Sequence, residues 1–151
     1  MHLASGILER DGRVLLVASR YPNRSEPLWN LPGGRQRHGE LLDETLRREF
    51  VEETGLHVAI AGLAYVSESY DPVNGAHFIN VTFEVAALGE PVLPSRDPKL
   101  ADLAWVARSA LHERIAAAVV REPLAAFLRG EQRRYFGFGV ADVAIEFAEP
   151  A

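Results

Sequence analysis

The sequence lacks cysteine altogether, and no run of apolar residues approaches the roughly 20 that span a lipid bilayer. The lack of cysteine excludes disulfides, thiolate metal sites and a cysteine nucleophile, and it makes a reducing cytoplasm the expected compartment. The first eight residues show no basic leader followed by an apolar stretch and a cleavage site. We therefore expect a soluble, unprocessed, cytoplasmic chain that does not associate with membranes.

An excess of positive charge is also missing. The 151 residues include 16 Lys and Arg against 21 Asp and Glu, which gives a formal net charge of -5. Without a global positive field, nucleic acid is not an expected partner, and a small anion would be bound by local cations or by a metal ion. With 48% hydrophobic and 25% charged residues and no repeat or linker-like stretch, the chain predicts a single domain over residues 1–151.

Hydrophobic patterning predicts an α+β fold, an α/β/α sandwich with a mixed sheet between helices. A helix over Leu41–Thr54 is indicated because Leu42, Leu46 and Phe50 recur every four residues and Gly55 is suited to end it. The other predicted elements are a hairpin of Leu3–Leu8 and Val14–Ala18 around Asp11 and Gly12, a strand pair of His57–Tyr70 and Ala76–Ala87, a strand near Leu103–Val106, and a helix over Ser109–Val120 that continues at Pro123–Leu128 with Pro123 in a first turn.

Residues 131–151 are predicted to form a C-terminal strand extension. Tyr135, Phe136 and Phe138 place three aromatic rings within four residues, and apolar residues alternate further along the segment. We expect Tyr135–Phe147 to complete a sheet edge, either within the subunit or across a homodimer. A disordered tail is the alternative, although such tails are usually poor in aromatic and β-branched residues.

A group of acidic residues occupies the second half of the predicted helix. Glu49, Glu52 and Glu53 are spaced i, i+3 and i+4, so their carboxylates lie within one helical turn of each other. Like charges repel at this spacing, and they lie near the helix C-terminus, where the macrodipole disfavours anions. A bound cation would relieve this cost, and ligands that are all oxygen suit Mg²⁺ or Mn²⁺. The alternative is a solvated helix face on which Arg47 and Arg48 pair with the glutamates.

The chain around these glutamates follows a longer fixed pattern. Gly34 is followed after five residues by Glu40, and after seven more by Arg48 and the run EFVEETGL, which ends at Leu56. This segment of 23 residues resembles the signature of the Nudix hydrolases at every fixed position, where a chance match has a probability on the order of 10⁻⁷. The resemblance implies the compact sandwich fold of that family and the metal-dependent hydrolysis of a phosphoanhydride bond.

The same resemblance assigns roles to individual residues. It implies that Glu49, Glu52 and Glu53 bind the metal together with the carbonyl of Gly34, and that Arg48 orients a catalytic glutamate. Glu49 or Glu53 would take the proton of the attacking water, and we favour Glu49.

Three acidic residues outside this group are further candidates. Glu40 would hold the junction of loop and helix, cap the helix, or reach a second metal. Asp97, a few residues before Trp105, lies where the family often recruits another carboxylate, and an exposed loop aspartate beside Pro98 is the alternative. Glu84 is a metal-ligand candidate on a polar strand face.

Substrate choice lies outside the fixed pattern. Arg35 and Arg37 precede the helix where cations would meet phosphate, although both could be solvated loop residues. ADP-ribose-cleaving members of the family tend to carry a proline about sixteen residues after the pattern, and Pro72 lies there, but a proline is also expected in a turn. The aromatic residues that could stack a base, or belong to the core instead, are Tyr65, Tyr70 and Phe78.

These features predict an enzyme in which water attacks phosphorus of a nucleoside diphosphate linked to another group, such as ADP-ribose or a nucleotide sugar. Three alternatives stay open. A house-cleaning nucleoside triphosphate pyrophosphohydrolase would use the same pattern. A nucleotide-sensing or interaction module usually shows an eroded pattern, and RNA 5′-end decapping is disfavoured by the lack of a basic stripe. The expected partner is a small nucleotide, and a homodimer is considered as well.

Overall fold

A computed structural model describes residues 1–94 and 97–147, within which strands form two sheets and helices cover their faces. The strands are β1 (His2–Ile7), β2 (Glu9–Arg10), β3 (Arg13–Ser19), β4 (Leu28–Asn30), β5 (Gly33–Arg35), β6 (Ala59–Tyr70), β7 (His77–Ala86), β8 (Leu100–Ala107) and β9 (Tyr135–Val140), and the helices are α1 (Leu42–Thr54), α2 (Leu111–Arg114) and α3 (Ala118–Leu128).

The two sheets differ in strand direction. The larger sheet has the order β5-β1-β7-β6-β9 and is mixed, because β1 runs parallel to β7 and β6 runs parallel to β9. In the smaller sheet, β3 pairs antiparallel with β2, β4 and β8. Helix α1 packs on β1 and β5, and α3 packs on β6. The predicted α+β fold with a mixed sheet between helices is confirmed. None of the helices in the described ranges is long and apolar enough to cross a membrane.

The N-terminal hairpin is shorter than the sequence predicts. Asp11 and Gly12 form its turn with φ of 53° and 74°, the left-handed backbone that such a turn requires. Only β2 pairs with β3 across this turn, whereas β1 joins the larger sheet between β5 and β7. The predicted pairing of Leu3–Leu8 with Val14–Ala18 is therefore wrong. Both runs are buried along nearly their whole length, since each is covered on two faces as an inner strand of a separate sheet.

Helix α1 agrees with its prediction, and its apolar face packs against β1. Leu46 and Phe50 are fully buried in one of the two core clusters, and Gly55 ends the helix with φ of 73°. Gly6 of β1 allows this close packing, because a Cβ there would lie 2.6 Å from the Phe50 ring. The glutamates of the second half of α1 are thereby held beside β5.

The second helical region is broken where the sequence predicts continuity. A 3₁₀ turn at Arg108–Ala110 leads into α2, and α3 begins only at Ala118, so Pro123 lies in the middle of α3 rather than in a first turn. The break follows from burial of Ile115, which is extended and has no exposed surface. Asp142 then caps the new helix, since both its carboxylate oxygens accept the Ala118 N–H at 3.2 Å.

The C-terminal region contains a strand only in its first part. Strand β9 pairs along β6 at the edge of the larger sheet, with Val66 opposite Tyr135. Phe136 is buried and its ring lies 5.7 Å from that of Tyr65. Residues 141–147 continue without strand structure, contrary to the expectation that Tyr135–Phe147 is one strand, and 148–151 lie outside the described residues.

Candidate active site

One wall of the candidate site consists of the carboxylates of α1. Glu53 is buried, with 7% of its surface exposed, and its Oε1 accepts the Gly33 N–H at 2.7 Å. Glu49 is half-buried one turn earlier, and Glu52 is exposed on the adjoining face. The spacing of the glutamates thus produces a cluster that lies against β5 rather than a fully solvated helix face.

Arg48 connects this wall to the loop before α1. Its guanidinium donates to both oxygens of Glu40 over 2.6 and 3.0 Å, and to the carbonyl of Arg35 over 3.1 Å. It also donates to Glu49 over 2.8 Å and to Glu52 over 3.3 Å. Hydrogen bonds from Arg48 lower the pKa of Glu40 to about 2, so Glu40 stays ionised as an anchor for the arginine. Arg48 therefore fixes the orientation of Glu49 while it is itself held by Glu40.

Two glycines allow β5 to approach the glutamates. A Cβ on Gly34 would lie 2.6 Å from the carboxyl carbon of Glu49. Gly33 has a φ of 152°, and a Cβ there would lie 2.1 Å from the carbonyl oxygen of Ala4. A side chain at Gly33 would clash with backbone, and one at Gly34 would displace the Glu49 carboxylate, so the two glycines let the backbone of β5 lie directly against the carboxylates.

Burial makes the charged forms of two glutamates costly. Burial, followed by repulsion from Glu49, raises the pKa of Glu53 well above its ordinary value, and the charge of Asp97 raises it further. Burial likewise raises the pKa of Glu49, although the Arg48 guanidinium opposes this shift. Carboxylates that are crowded and partly desolvated in this way bind a hard divalent cation well.

The carboxylates of the described residues are nevertheless not arranged as a preformed metal-binding site. Within residues 1–94 and 97–147, no three His, Asp or Glu side chains are arranged to hold an ion. Arg48 engages Glu49 and Glu52, and the Gly33 N–H engages Glu53. The donor set still fits Mg²⁺ or Mn²⁺, because all its groups are oxygens that a cation would relieve of mutual repulsion.

A cleft of about 350 Å³ opens beside this wall. It is lined by the three glutamates of α1, by Gly34, Arg48, Arg35 and Arg37, and by Asp97, whose Oδ1 also accepts the Lys99 N–H at 2.9 Å. Glu40 lies behind Arg48, and Glu84 is exposed on β7 away from the cleft. The lining residues are Ser19, Arg20, Tyr21, Gly33, Gly34, Arg35, Arg37, Arg48, Glu49, Glu52, Glu53, Asp97, Lys99, Leu100 and Phe147.

Seven of the 15 lining residues were not expected from the sequence, and three of them add a phenol, a cation and an aromatic ring to the cleft. Tyr21 comes from the loop after β3, and burial together with the charge of Glu53 raises the pKa of its phenol to about 12. Lys99 adds a cation beside Asp97, and Phe147 comes from the far end of the chain. No motif in the sequence marks these residues, because they come from loops and from a distant segment that only the fold brings to the cleft.

The aromatic residues proposed for base stacking lie elsewhere. Tyr65 is buried in the core beside Phe136, and Tyr70 is stacked on His77 at an exposed position, 4.5 Å between ring centroids. Phe78 does not line the cleft but lies behind it, 5.7 Å from the ring of Phe147. Tyr65, Tyr70 and Phe78 are therefore not among the residues that line the cleft.

Known proteins resemble this chain in sequence. An ADP-ribose pyrophosphatase of Methanocaldococcus jannaschii is 34% identical over 97 residues, which cover 64% of this chain and 57% of that protein. The 8-oxo-dGDP phosphatase NUDT18 of Homo sapiens is 31% identical over 111 residues, which cover 72% of this chain and 32% of that protein. The chain thus spans little more than half the length of the first relative and about a third of the second.

The structural comparison agrees with the sequence comparison. The crystal structure of a MutT NUDIX hydrolase from Burkholderia pseudomallei matches with a TM-score of 0.64 and 30% identity, over 72% of this chain and 83% of that one. The family profile described as the NUDIX domain matches residues 2–127. Because this match runs from β1 into the last turn of α3 and includes the whole carboxylate wall, the chain belongs to the NUDIX family.

Proposed function

We propose that the protein hydrolyses a phosphoanhydride bond in a nucleoside diphosphate linked to another group, of the ADP-ribose or nucleotide-sugar type, with Mg²⁺ or Mn²⁺ as cofactor. The observation that carries this proposal is the cleft itself, in which crowded carboxylates on α1 are joined by Arg35, Arg37 and Lys99. A diphosphate needs cations on its oxygens, and the acidic wall needs a cation of its own. The relative named ADP-ribose pyrophosphatase supports this substrate class.

The cation would be held by carboxylate oxygens of Glu49, Glu52 and Glu53, with the backbone of Gly34 and the carboxylate of Asp97 as further ligands. When bound, a divalent cation neutralises phosphate charge and lowers the pKa of a coordinated water.

The residues of the chain then have separate tasks. Glu49 takes the proton of the attacking water, since its raised pKa brings it closer to the working pH, where a general base is most effective. Arg48 holds the Glu49 carboxylate in place through its 2.8 Å bond. Arg35 and Arg37, which line the same cleft, bind phosphate oxygens. No covalent nucleophile is needed, so water attacks phosphorus and a nucleoside monophosphate leaves.

A substrate panel with the purified chain tests the proposal. Nucleoside diphosphate sugars, ADP-ribose and nucleoside triphosphates are incubated with Mg²⁺ or Mn²⁺, and products are resolved by chromatography. We expect Glu49→Gln, Glu52→Gln and Glu53→Gln each to lower kcat by roughly two orders of magnitude or more, as loss of a catalytic group does. Asp43→Asn is the matched control, because Asp43 lies on the same helix and pairs with Arg47 at the exposed surface. Near-normal turnover in a glutamate variant would contradict the assignment.

A second candidate function is the removal of damaged nucleotides. The human relative named 8-oxo-dGDP phosphatase covers 72% of this chain, which favours this candidate. The same panel distinguishes the two, since preference for an oxidised guanine nucleotide over ADP-ribose and nucleotide sugars would replace the first proposal with the second.

A further inference from the structure

The segment 141–147, here called the C-terminal strap, leaves β9 and ends at the cleft. It is attached at its start, where the Ala141 N–H donates to the Tyr70 carbonyl at 2.8 Å and Asp142 caps α3. Its second half is held by two side chains from other parts of the chain, Asn23 and Asp71. The strap therefore has a defined course although it belongs to neither sheet.

Asn23 binds the strap as a neighbouring strand would. Its Nδ2 donates to the Ala144 carbonyl and its Oδ1 accepts the Glu146 N–H, both at 3.0 Å. Asn23 belongs to the loop that carries Tyr21 into the cleft, so this bidentate contact fixes the strap relative to the cleft wall.

Asp71 holds the same stretch from the other side. It is buried, with 4% of its surface exposed, and its Oδ2 accepts the Ile145 N–H at 3.0 Å. Its Oδ1 accepts the N–H groups of Val73 and Asn74 in the turn after β6. Burial alone would raise the pKa of Asp71, but these three backbone donors lower it, which keeps the anchor ionised.

The anchors place Phe147 on the cleft surface. Its ring packs edge-on against Tyr21, with 6.0 Å between ring centroids, and at a tilt against Phe78, with 5.7 Å between centroids. The Arg35 guanidinium lies over the Phe147 ring at 5.7 Å. A smaller slot of about 70 Å³ lies behind it, and Tyr21 and Phe147 line both cavities. Nine of the 15 residues that line the cleft are charged, and Phe147 and Tyr21 are the two aromatic residues among them.

We infer that Phe147 is a specificity-determining residue, on which the nucleobase of the substrate stacks while its phosphates lie toward Arg35 and the carboxylates. This inference rests on the proposed function. The rings of nucleobases stack on aromatic side chains and on guanidinium planes, whereas a sugar or a phosphate has no comparable flat face. A ring held by backbone anchors loses little conformational freedom when a ligand binds, which favours such a contact.

The test compares ligands with and without a base. The dissociation constants of AMP, GMP, CMP and UMP, and of ribose 5-phosphate, are measured by calorimetry in Mg²⁺ for the wild type, Phe147→Leu and Phe147→Trp. Glu146→Ala is the matched control, since its side chain is exposed on the same strap. Phe147→Leu is expected to weaken the best-bound nucleotide by roughly tenfold, as loss of a stacked ring does, with ribose 5-phosphate changed less than about twofold. Phe147→Trp is expected to restore the binding of the nucleotide.

Each outcome decides the inference separately from the proposed function. Equal weakening of nucleotide and ribose 5-phosphate, unchanged binding of both, or failure of all four nucleotides to bind the wild type would overturn it. Hydrogen exchange at the Ile145 amide reports whether the strap stays anchored in Phe147→Leu. If this amide loses its protection and both nucleotide and ribose 5-phosphate lose binding, Phe147 has only a structural role. A base-dependent loss in a protein that hydrolyses none of the panel would leave the stacking site standing and refute the hydrolase proposal.

Discussion

Replacing Glu53 by glutamine should stabilise the metal-free protein, and increasingly so as the pH rises. The pKa of Glu53 in the folded state is raised above the ordinary value of 4.5 by burial and by Glu49. At a pH between 4.5 and the raised pKa of the folded state, the folded state binds more protons than the unfolded state, so the free energy of unfolding falls as the pH rises. Below pH 4.5, Glu53 is protonated in both the folded and the unfolded state, and its destabilising effect disappears. Glutamine has nearly the same shape but no proton to lose, which removes this dependence.

The size of the effect follows from the contacts of Glu53. One group loses up to about 1.4 kcal/mol of unfolding free energy for each pH unit above 4.5 until its folded pKa is reached, or up to about 3.5 kcal/mol at pH 7. Glutamine still accepts the Gly33 N–H, but a neutral acceptor in place of a charged one loses about 1 kcal/mol. The net gain at pH 7 is therefore at most about 2.5 kcal/mol, which raises the Tm of a domain of this size by no more than about 10 °C.

Thermal unfolding followed by circular dichroism in a chelator, from pH 5 to pH 8, measures this difference. Glu52→Gln is the matched control, because Glu52 lies on the same turn but is exposed and should change stability by less than about 0.5 kcal/mol. A Tm gain in Glu53→Gln that does not grow with pH, or an equal gain in Glu52→Gln, would refute the reasoning.

Four further outcomes are expected. Mg²⁺ at about 100 times its Kd should stabilise the wild type by about 2.7 kcal/mol and Glu53→Gln far less, and equal Tm shifts would count against a shared metal ligand. Hydrolysis in ¹⁸O-labelled water should place the label on a product phosphate, as mass spectrometry of the products shows, and label only on sugar carbon would exclude attack at phosphorus. Gly34→Ala should displace the Glu49 carboxyl that lies 2.6 Å from the new Cβ and lower kcat more than stability; unchanged kinetics would disprove this close approach. Phe136→Ala should cost about 3–5 kcal/mol in urea unfolding because its ring is buried on Tyr65, and a loss below about 1 kcal/mol would mean that β9 is not part of the core.

The parts of the fold that the sequence predicts are those that local patterning determines. Leu42, Leu46 and Phe50 form the buried face of α1 because helical periodicity operates over neighbouring turns. The strand pair β6 and β7 is found as predicted, joined by the turn residues that follow Tyr70. The positions of the glutamates follow from the helix alone, so the carboxylate wall was predictable before any tertiary contact was known.

What the sequence does not predict depends on distant contacts. An apolar strand such as β1 can pair in either sheet, and in the structure β2 lies beside β3 while β1 lies between β5 and β7. The break before α3 depends on burial of Ile115 and on a cap from Asp142, 24 residues from Ala118. Phe147 reaches the cleft through Asn23, and no pattern within a window of ordinary length relates the two residues.

The way in which Asn23 and Asp71 hold the C-terminal strap has a consequence for how this segment can vary among related proteins. Both side chains bind backbone groups of residues 144–146, so they are indifferent to the side chains at those positions. Most single substitutions there should be tolerated. An insertion or deletion of one residue between Asp142 and Phe147 would instead move the ring out of register with its anchors. Among related proteins, the amino-acid sequence of this segment should therefore vary while its length stays the same.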